Sequence, residues 1–491
     1  MGFKADTSFL RFLSMGAAGA LRVMEQMKAD GFEPIELERY CTSNKIWTTK
    51  VKRLRLPDIL CVRTGTRIEV RAKSDLKIRM SDAPANPDRR WNSGMRDRDL
   101  AAFIACFDDN GSPRPADQAM FFTFGDLRKS DAASQLGPPK SASEGAERDR
   151  TWPCIVPQRN GIVEHVDKTV IRAMMDADKE RPARPQSFQL RGRVPYVAVG
   201  DRFVAETSII AGAPPQRASL KVFLKDKYHP LDELDAEDAV DRYAAVKSLP
   251  FVSVLKRKAA KAIEQRLGVE TEDRVLLEAA GAGTACESGE AWRILEGFVW
   301  NQERADLRME AVFILTELRS AGARNVLLKI ANDRMFANDE IRQAAVWGLG
   351  KAGLRSYADL VPFLNDPERD VVLHAIAAFG QDTPEPVIDR LIEELNSGDR
   401  RRSPAASEAL RVIGSDLVLK NLISSAREKS GSVDWVLATL GRLPADKVRA
   451  ALQGDPLLQR LGPLLLLSST SNWVAEDTVD IDLKFLLKQN L

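Results

Sequence analysis

The spacing of apolar residues changes along the chain. The opening stretch SFLRFLSMGAAGALRVMEQMKADGF places Leu10, Leu13, Ala17, Leu21 and Met24 at helical intervals, and Asp30-Gly31 ends the run. EPIELERYC and KIWTTKVKRLRL then alternate as strands do. RLPDILCVRTGTRIEVRAKSD, from Arg55 to Asp75, reads as two short strands joined by a Thr-Gly turn. SDAPANPDRRWNSGMRDRD follows as a polar loop or short helix, and LAAFIACF and AMFFTFGDL read as buried strands. The first 130 residues therefore predict an α/β domain with a mixed sheet.

Residues 131–150, rich in Ser, Ala, Gly and Pro, are expected to be a flexible loop or linker. Residues 151–268 read as a mixed α+β region. RVPYVAVGDRFVAETSII holds strand-like pieces with a Gly-Asp turn, and ELDAEDAVDRYAAVKSLPFVSVLKRKAAKAIEQRLG is helical. Residues 269–491 are nearly all helix and repeat. Leu307-Ala311, Ile341-Ala345-Leu349, Val371-Ala375-Phe379 and Ala405-Ala409-Ile413 occupy matching offsets, at steps of 34, 30 and 34 residues. Small residues at the middle offset let neighbouring helices approach, and stacked helix pairs share one continuous core. With Asn365-Asp366-Pro367 at its turn, FLNDPERDVVLHAIAAFG resembles a HEAT repeat. This resemblance implies an all-α solenoid over roughly residues 270–450, with units shorter than the ~40–47 residues of standard HEAT repeats.

A chain of 491 residues is long enough for several domains, and its 44% apolar and 29% charged residues are ordinary for a soluble protein. No apolar run approaches the ~20 residues that span a bilayer, and the N-terminus lacks a secretory pattern, so no membrane partner and a cytoplasmic location are expected. Five scattered cysteines and three histidines argue against a structural zinc site or a Cys–His catalytic pair. Net charge is +2, yet Arg39–Arg79 holds 12 Lys and Arg against 3 Asp and Glu. Such a basic island predicts a polyanion site, with Lys45, Lys50, Lys52, Arg53, Arg55 and Lys77 as backbone contacts and Trp47 as a base-stacking ring.

The island surrounds an acidic pair. In RIEVRAKSD, Ile68, Val70 and Ala72 share one strand face, whereas Glu69, Arg71 and Lys73 share the other. The turn would bring Asp58, which follows Pro57, beside Glu69. Two adjacent carboxylates are tolerated when a divalent cation lies between them. This layout resembles the restriction-endonuclease-like, or PD-(D/E)xK, nuclease superfamily, over roughly residues 8–130. The resemblance implies that Asp58 and Glu69 bind Mg2+ or Mn2+ and that DNA is cleaved. The superfamily's lysine position falls on Arg71, a poor water-activating group, so Lys73 two residues on is the expected substitute. The function expected from sequence is a Mg2+-dependent DNA nuclease, with catalytic residues Asp58, Glu69, Lys73 and Arg71. Its helical-repeat module would serve partner or substrate recognition, in bacterial defence or DNA processing, and a homo-oligomer would suit double-strand cutting. The alternatives are a nucleic-acid-binding protein without catalysis and a HEAT-repeat scaffold.

Overall fold

The computed structural model describes residues 7–37, 47, 49, 54–109, 112–140, 146–252, 256–301, 303–333, 339–351, 353–428 and 433–455. They form two compact units. One holds the described residues of Thr7–Lys45 and Lys52–Ala291. The other holds Trp47, Thr49 and the described residues from Trp292 onward.

The first unit opens with helix α1 (Thr7–Ala29), as the apolar spacing predicts. Strands β1 (Pro34–Glu36), β2 (Ile59–Cys61) and β3 (Arg67–Lys73) form an antiparallel meander. Strand β4 (Ile78–Asp82) leaves this sheet, and β5 (Leu100–Asp109) returns to lie parallel to β3. The far edge of β5 carries β6 (Ser112–Pro115) and β7 (Met120–Thr123), both antiparallel. Leu100 through Cys106 are each at most 2% exposed, so this run is apolar on both faces. Helix α2 (Phe124–Lys129) follows directly, because the Thr123 hydroxyl accepts from the Asp126 N–H and caps it. α1 lies over β3 and β5 closely enough that a methyl group at Gly19 would sit 2.5 Å from Ala72 Cβ.

The described residues of the stretch read as a linker, 131–140 and 146–150, are instead built into structure. They supply β8 (Gln135–Pro139) and the start of β9 (Arg148–Trp152); β9 pairs with β4 on one side and β8 on the other in a three-stranded sheet. Composition misleads here because long-range pairing with β4 orders residues that have little apolar content of their own. Trp152, at the end of β9, is fully buried and meets Trp91 edge-on with 4.9 Å between ring centres.

The middle region is a small β module. Strands β10 (Cys154–Ile155), β11 (Gly161–Val166), β12 (Val170–Met175), β13 (Arg184–Gln189), β14 (Val194–Pro195), β15 (Arg202–Phe203) and β16 (Ala211–Gly212) form two sheets, ordered β10-β16-β14 and β13-β12-β11-β15. Val163, Ile171, Ala173, Met175, Leu190 and Phe203 fill its core. Helices α3 (Leu220–Phe223), α4 (Ala239–Ser248), α5 (Lys256–Leu267) and α6 (Asp273–Ala285) follow, and α7 (Gly289–Trp300) leads into the second unit.

The second unit continues with α8 (Ala305–Leu318), α9 (Ala321–Asn332), α10 (Asp339–Leu349), α11 (Tyr357–Leu360), α12 (Arg369–Ala377), α13 (Glu385–Asn396), α14 (Arg402–Ile413), α15 (Asp416–Glu428), α16 (Val433–Arg442) and α17 (Ala445–Ala451). Helices α8, α10, α12, α14 and α16 pack in succession. The repeated offsets all face inward: Leu307, Ile341, Val371 and Ala405 are at most 5% exposed, and Ala311, Ala345, Ala375 and Ala409 are fully buried. The small middle residues permit this spacing, which is the physical content of the repeat. No helix among the described residues is long and apolar enough to cross a membrane.

Candidate functional site

The charged hairpin begins at Pro57 and Asp58. β2 pairs with β3 through Ile59–Ile68 and Leu60–Arg67, and Asp58 stands one residue before this paired stretch. Gly65, at φ +69°, lets the connecting turn close, and the Cys61 N–H donates to the Thr66 carbonyl at 2.8 Å. Asp58 is half-buried, and its Oδ2 accepts from the Val70 backbone N–H at 2.6 Å. The carboxylate thus ties the start of β2 to β3.

The two faces of β3 divide as the alternation predicts. Ile68 and Val70 are buried with Val23 and Met27 of α1 in one apolar core, and Ala72 packs against that core. The other face presents Arg67, Glu69, Arg71 and Lys73 in a row. Arg67, 3% exposed, donates to both carboxylate oxygens of Asp99 at 3.0 and 2.5 Å and to Asp241 at 2.7 Å. Arg96 shares Asp241 at 2.5 Å. The Arg67 end of the row is therefore a fully committed ion network. Asp241 lies 174 residues from Arg67, and no local pattern links them.

Glu69 is 8% exposed, and its Oε1 lies 2.5 Å from Nη2 of Arg71. Arg71 Nη1 also reaches the Val70 carbonyl at 3.3 Å. Among the described residues, the cation paired with Glu69 is the Arg71 guanidinium. Burial is the main cause that holds the Lys73 amine below the ordinary lysine value. Lys140, Arg71 and Arg79 act in the same direction, and Asp149 opposes them. Lys140 belongs to the same cluster and pairs with Glu147 at 2.7 Å and Asp149 at 3.0 Å. Burial would lower the Lys140 amine, but these two hydrogen-bonded carboxylates outweigh it and raise it. Lys140, Glu147 and Asp149 fall in the stretch read as a linker, which is why sequence reasoning missed them.

Among the described residues, no group of three or more His, Cys, Asp or Glu side chains is placed to hold a metal. Asp58 and Glu69 are a two-carboxylate set, which Mg2+ accepts when phosphate and water complete its shell.

The remaining expected contacts fare differently. Lys45, Lys50, Lys52 and Arg53 lie outside the described residues. Arg55 is exposed and its Nε donates to the Asp88 carbonyl, and Lys77 pairs with Asp75. Trp47 does not offer a face for base stacking. It is 2% exposed and its ring stacks on His374, with 5.1 Å between ring centres. Its indole is claimed by the helical unit, because burying so large an apolar surface outweighs leaving it in water. Arg89, Arg90, Arg96 and Arg98, in the polar stretch after β4, all sit in ion pairs, with Glu147, Asp82, Asp241 and Asp226. Glu25 on α1 is exposed and pairs with Arg22 at 3.0 Å.

In the helical unit, a cleft of about 260 Å3 opens between α13, α14 and the turn before α12. Val361, Leu364 and Ala406 form its apolar lining, and Asn365, Arg390, Glu394 and Arg402 supply polar groups.

Comparison with known proteins places the helical repeats and little else. Residues 295–379 match the HEAT-repeat family. No curated protein matches the chain. Two solved structures are similar to parts of it. YibA of Escherichia coli is 16% identical, with a TM-score of 0.26 over 52% of this chain and 90% of its own. The CpcE–CpcF complex of phycocyanin lyase from Nostoc sp. PCC7120 is 20% identical, with a TM-score of 0.24 over 49% of this chain and 96% of its own. The family match falls within the second unit, so the nuclease resemblance of residues 8–130 gains no support from it. This chain carries HEAT repeats across α8 to α12.

Proposed function

We propose that this chain is a helical-repeat binding protein whose stacked helices take up a protein partner. The observation that carries this reading is the run of successive helices α8, α10, α12 and α14, each burying the same repeated positions. Such stacks lend one long surface to recognition while the core is maintained by neighbour packing. The cleft lined by Arg390 and Arg402 is a recessed part of that surface. The test is crosslinking capture from the source cells with the full chain. Wild type and Lys73→Glu are expected to retain the same partner. Arg390→Glu with Arg402→Glu is expected to lower its recovery about tenfold or more, the scale of a lost interface anchor. Recovery unchanged by the double reversal overturns the reading.

A second reading, phosphodiester hydrolysis of DNA, is favoured by one observation. Asp58, one residue before β2, accepts from the Val70 N–H next to Glu69 on β3, and a partly desolvated Lys73 lies on the same strand face as Glu69. In this reading Asp58 and Glu69 would hold Mg2+ or Mn2+, which supplies polarisation of a phosphoryl oxygen. Lys73, below its ordinary value, is the stronger candidate to take a proton from water, since Arg71 stays protonated. Supercoiled plasmid incubated with Mg2+ or Mn2+ is expected to be nicked by wild type. Asp58→Ala and Glu69→Ala are each expected to slow nicking about 100-fold or more. Wild-type protein that retains DNA without nicking it leaves binding alone.

A further inference from the structure

Trp47 is held by three successive repeats. Its ring stacks on His374 of α12 at 5.1 Å and 26°, meets Trp347 of α10 edge-on at 6.4 Å and 82°, and tilts against Phe313 of α8 at 6.2 Å and 43°. Phe313 and Trp347 stand 34 residues apart, at the same offset of the repeat, and the next residue in that series is Ala377. The third ring that the ladder lacks is supplied from a distant part of the sequence. Two residues on, the Thr49 backbone N–H donates to Oε2 of Glu340 at 2.7 Å, and the Thr49 hydroxyl donates to the same oxygen. A ring, a one-residue gap and a hydroxyl are thus read together.

The seat also contains unanswered polarity. Lys351 Nζ lies 4.3 Å from the centre of the Trp347 ring. Lys351 Nζ and Trp347 Nε1 are both buried and find no hydrogen-bond partner among the described residues. Buried donors left unmet cost stability, so the resident segment is not the best ligand this seat can take.

We propose that the seat formed by Phe313, Glu340, Trp347 and His374 is an exchangeable recognition site for a Trp-x-Thr segment of a protein partner. Trp47 and Thr49 fill it in cis. The proposal rests on the binding-protein reading and names the chemistry of the partner: an indole, a hydroxyl two residues later and an acceptor for the Lys351 amine. A tethered segment competes at an effective concentration set by its tether, in the millimolar range for short flexible ones. Wild-type protein therefore masks the seat, and removal of the resident ring opens it.

The test uses the full chain and a fluorescein-labelled peptide of residues 43–53, SNKIWTTKVKR, read by fluorescence anisotropy. Trp47→Ala is expected to bind the peptide about tenfold or more tighter than wild type does. The same peptide with Ala in place of Trp is expected not to bind, and adding Trp347→Ala to Trp47→Ala is expected to abolish the gain. Equal affinity for wild type and Trp47→Ala, or for the two peptides, overturns the proposal. Should Trp47→Ala fail to fold, Thr49→Val, which leaves Glu340 and the rest of the seat intact, decides. It keeps the ring, loosens the segment and is expected to raise peptide affinity about threefold or more, and no gain overturns the proposal. Absent peptide binding with partner capture intact sinks this proposal alone. Lost capture specificity with peptide binding intact sinks the wider reading alone.

Discussion

Lys351 and His374 show what a single buried group can impose on its surroundings. Burial, aided by Arg355, holds the Lys351 amine down at about 7, and burial, aided by Lys351, holds His374 down at about 3. Both are bases whose folded values lie below the ordinary 10.5 and 6.5, so the unfolded chain binds more protons between the two limits. Stability therefore rises with pH from about 3 to 6.5 through His374, and again from about 7 to 10.5 through Lys351. In acid both costs are present in full. Lys351→Met is expected to remove the upper window and to raise the unfolding free energy at pH 6 by about 1 kcal/mol or more, as replacement of a poorly compensated buried charge does. Urea unfolding at pH 6 and pH 9 checks it, and a wild-type slope retained in the variant refutes it. Neither group could be singled out from sequence. A lysine after a helix and a histidine within one become titration-sensitive only through the rings packed around them.

Strand β3 was the most legible element. Alternation alone separates Ile68, Val70 and Ala72 from Glu69, Arg71 and Lys73, and the folded sheet buries the first set beneath α1. What alternation could not supply was the partners. Glu69 faces Arg71 on its own strand, and Arg67 takes Asp99 and Asp241. The contact of α1 with β3 gives a prediction at this scale. A side chain at Gly19 runs into Ala72 and Ile104, whereas a methyl at Gly16 meets nothing within 4 Å. Gly19→Val is expected to cost about 1–3 kcal/mol by overpacking. Gly16→Ala is expected to add about 0.5–1 kcal/mol through reduced chain entropy. Chemical denaturation of the two variants against wild type checks both signs. The β8–β9 hairpin marks the opposite case. Its Ser, Gly and Pro content reads as a linker, and only pairing with β4 makes it a sheet.

At the scale of the whole molecule, the chain is two units of different construction. The α/β unit depends on contacts between distant residues, from the β3–β5 pairing to the Arg67–Asp241 ion pair. The helical unit depends on neighbours, each frame helix packing on the next. This difference explains why capture of a partner and chemistry at β3 are expected to separate. Charge reversal at Lys73 acts on the first unit, and reversal at Arg390 and Arg402 acts on the second. Capture sensitive to Lys73→Glu and insensitive to the Arg390 and Arg402 reversals contradicts this division.

Sequence alone determined the features that repeat at short range. These are the helical spacing of α1, the two faces of β3 and the frame of small and apolar positions through Ala409, because each follows from backbone periodicity and local burial. Tertiary structure decided what fills each face. It gave Arg71 to Glu69, drew a stretch read as a linker into a sheet and sank the Trp47 ring between Phe313, Trp347 and His374. A charge or an indole has no fixed fate in a sequence. Its partner is whichever group the folded chain brings near, and that is settled by the burial of surface far from it along the chain.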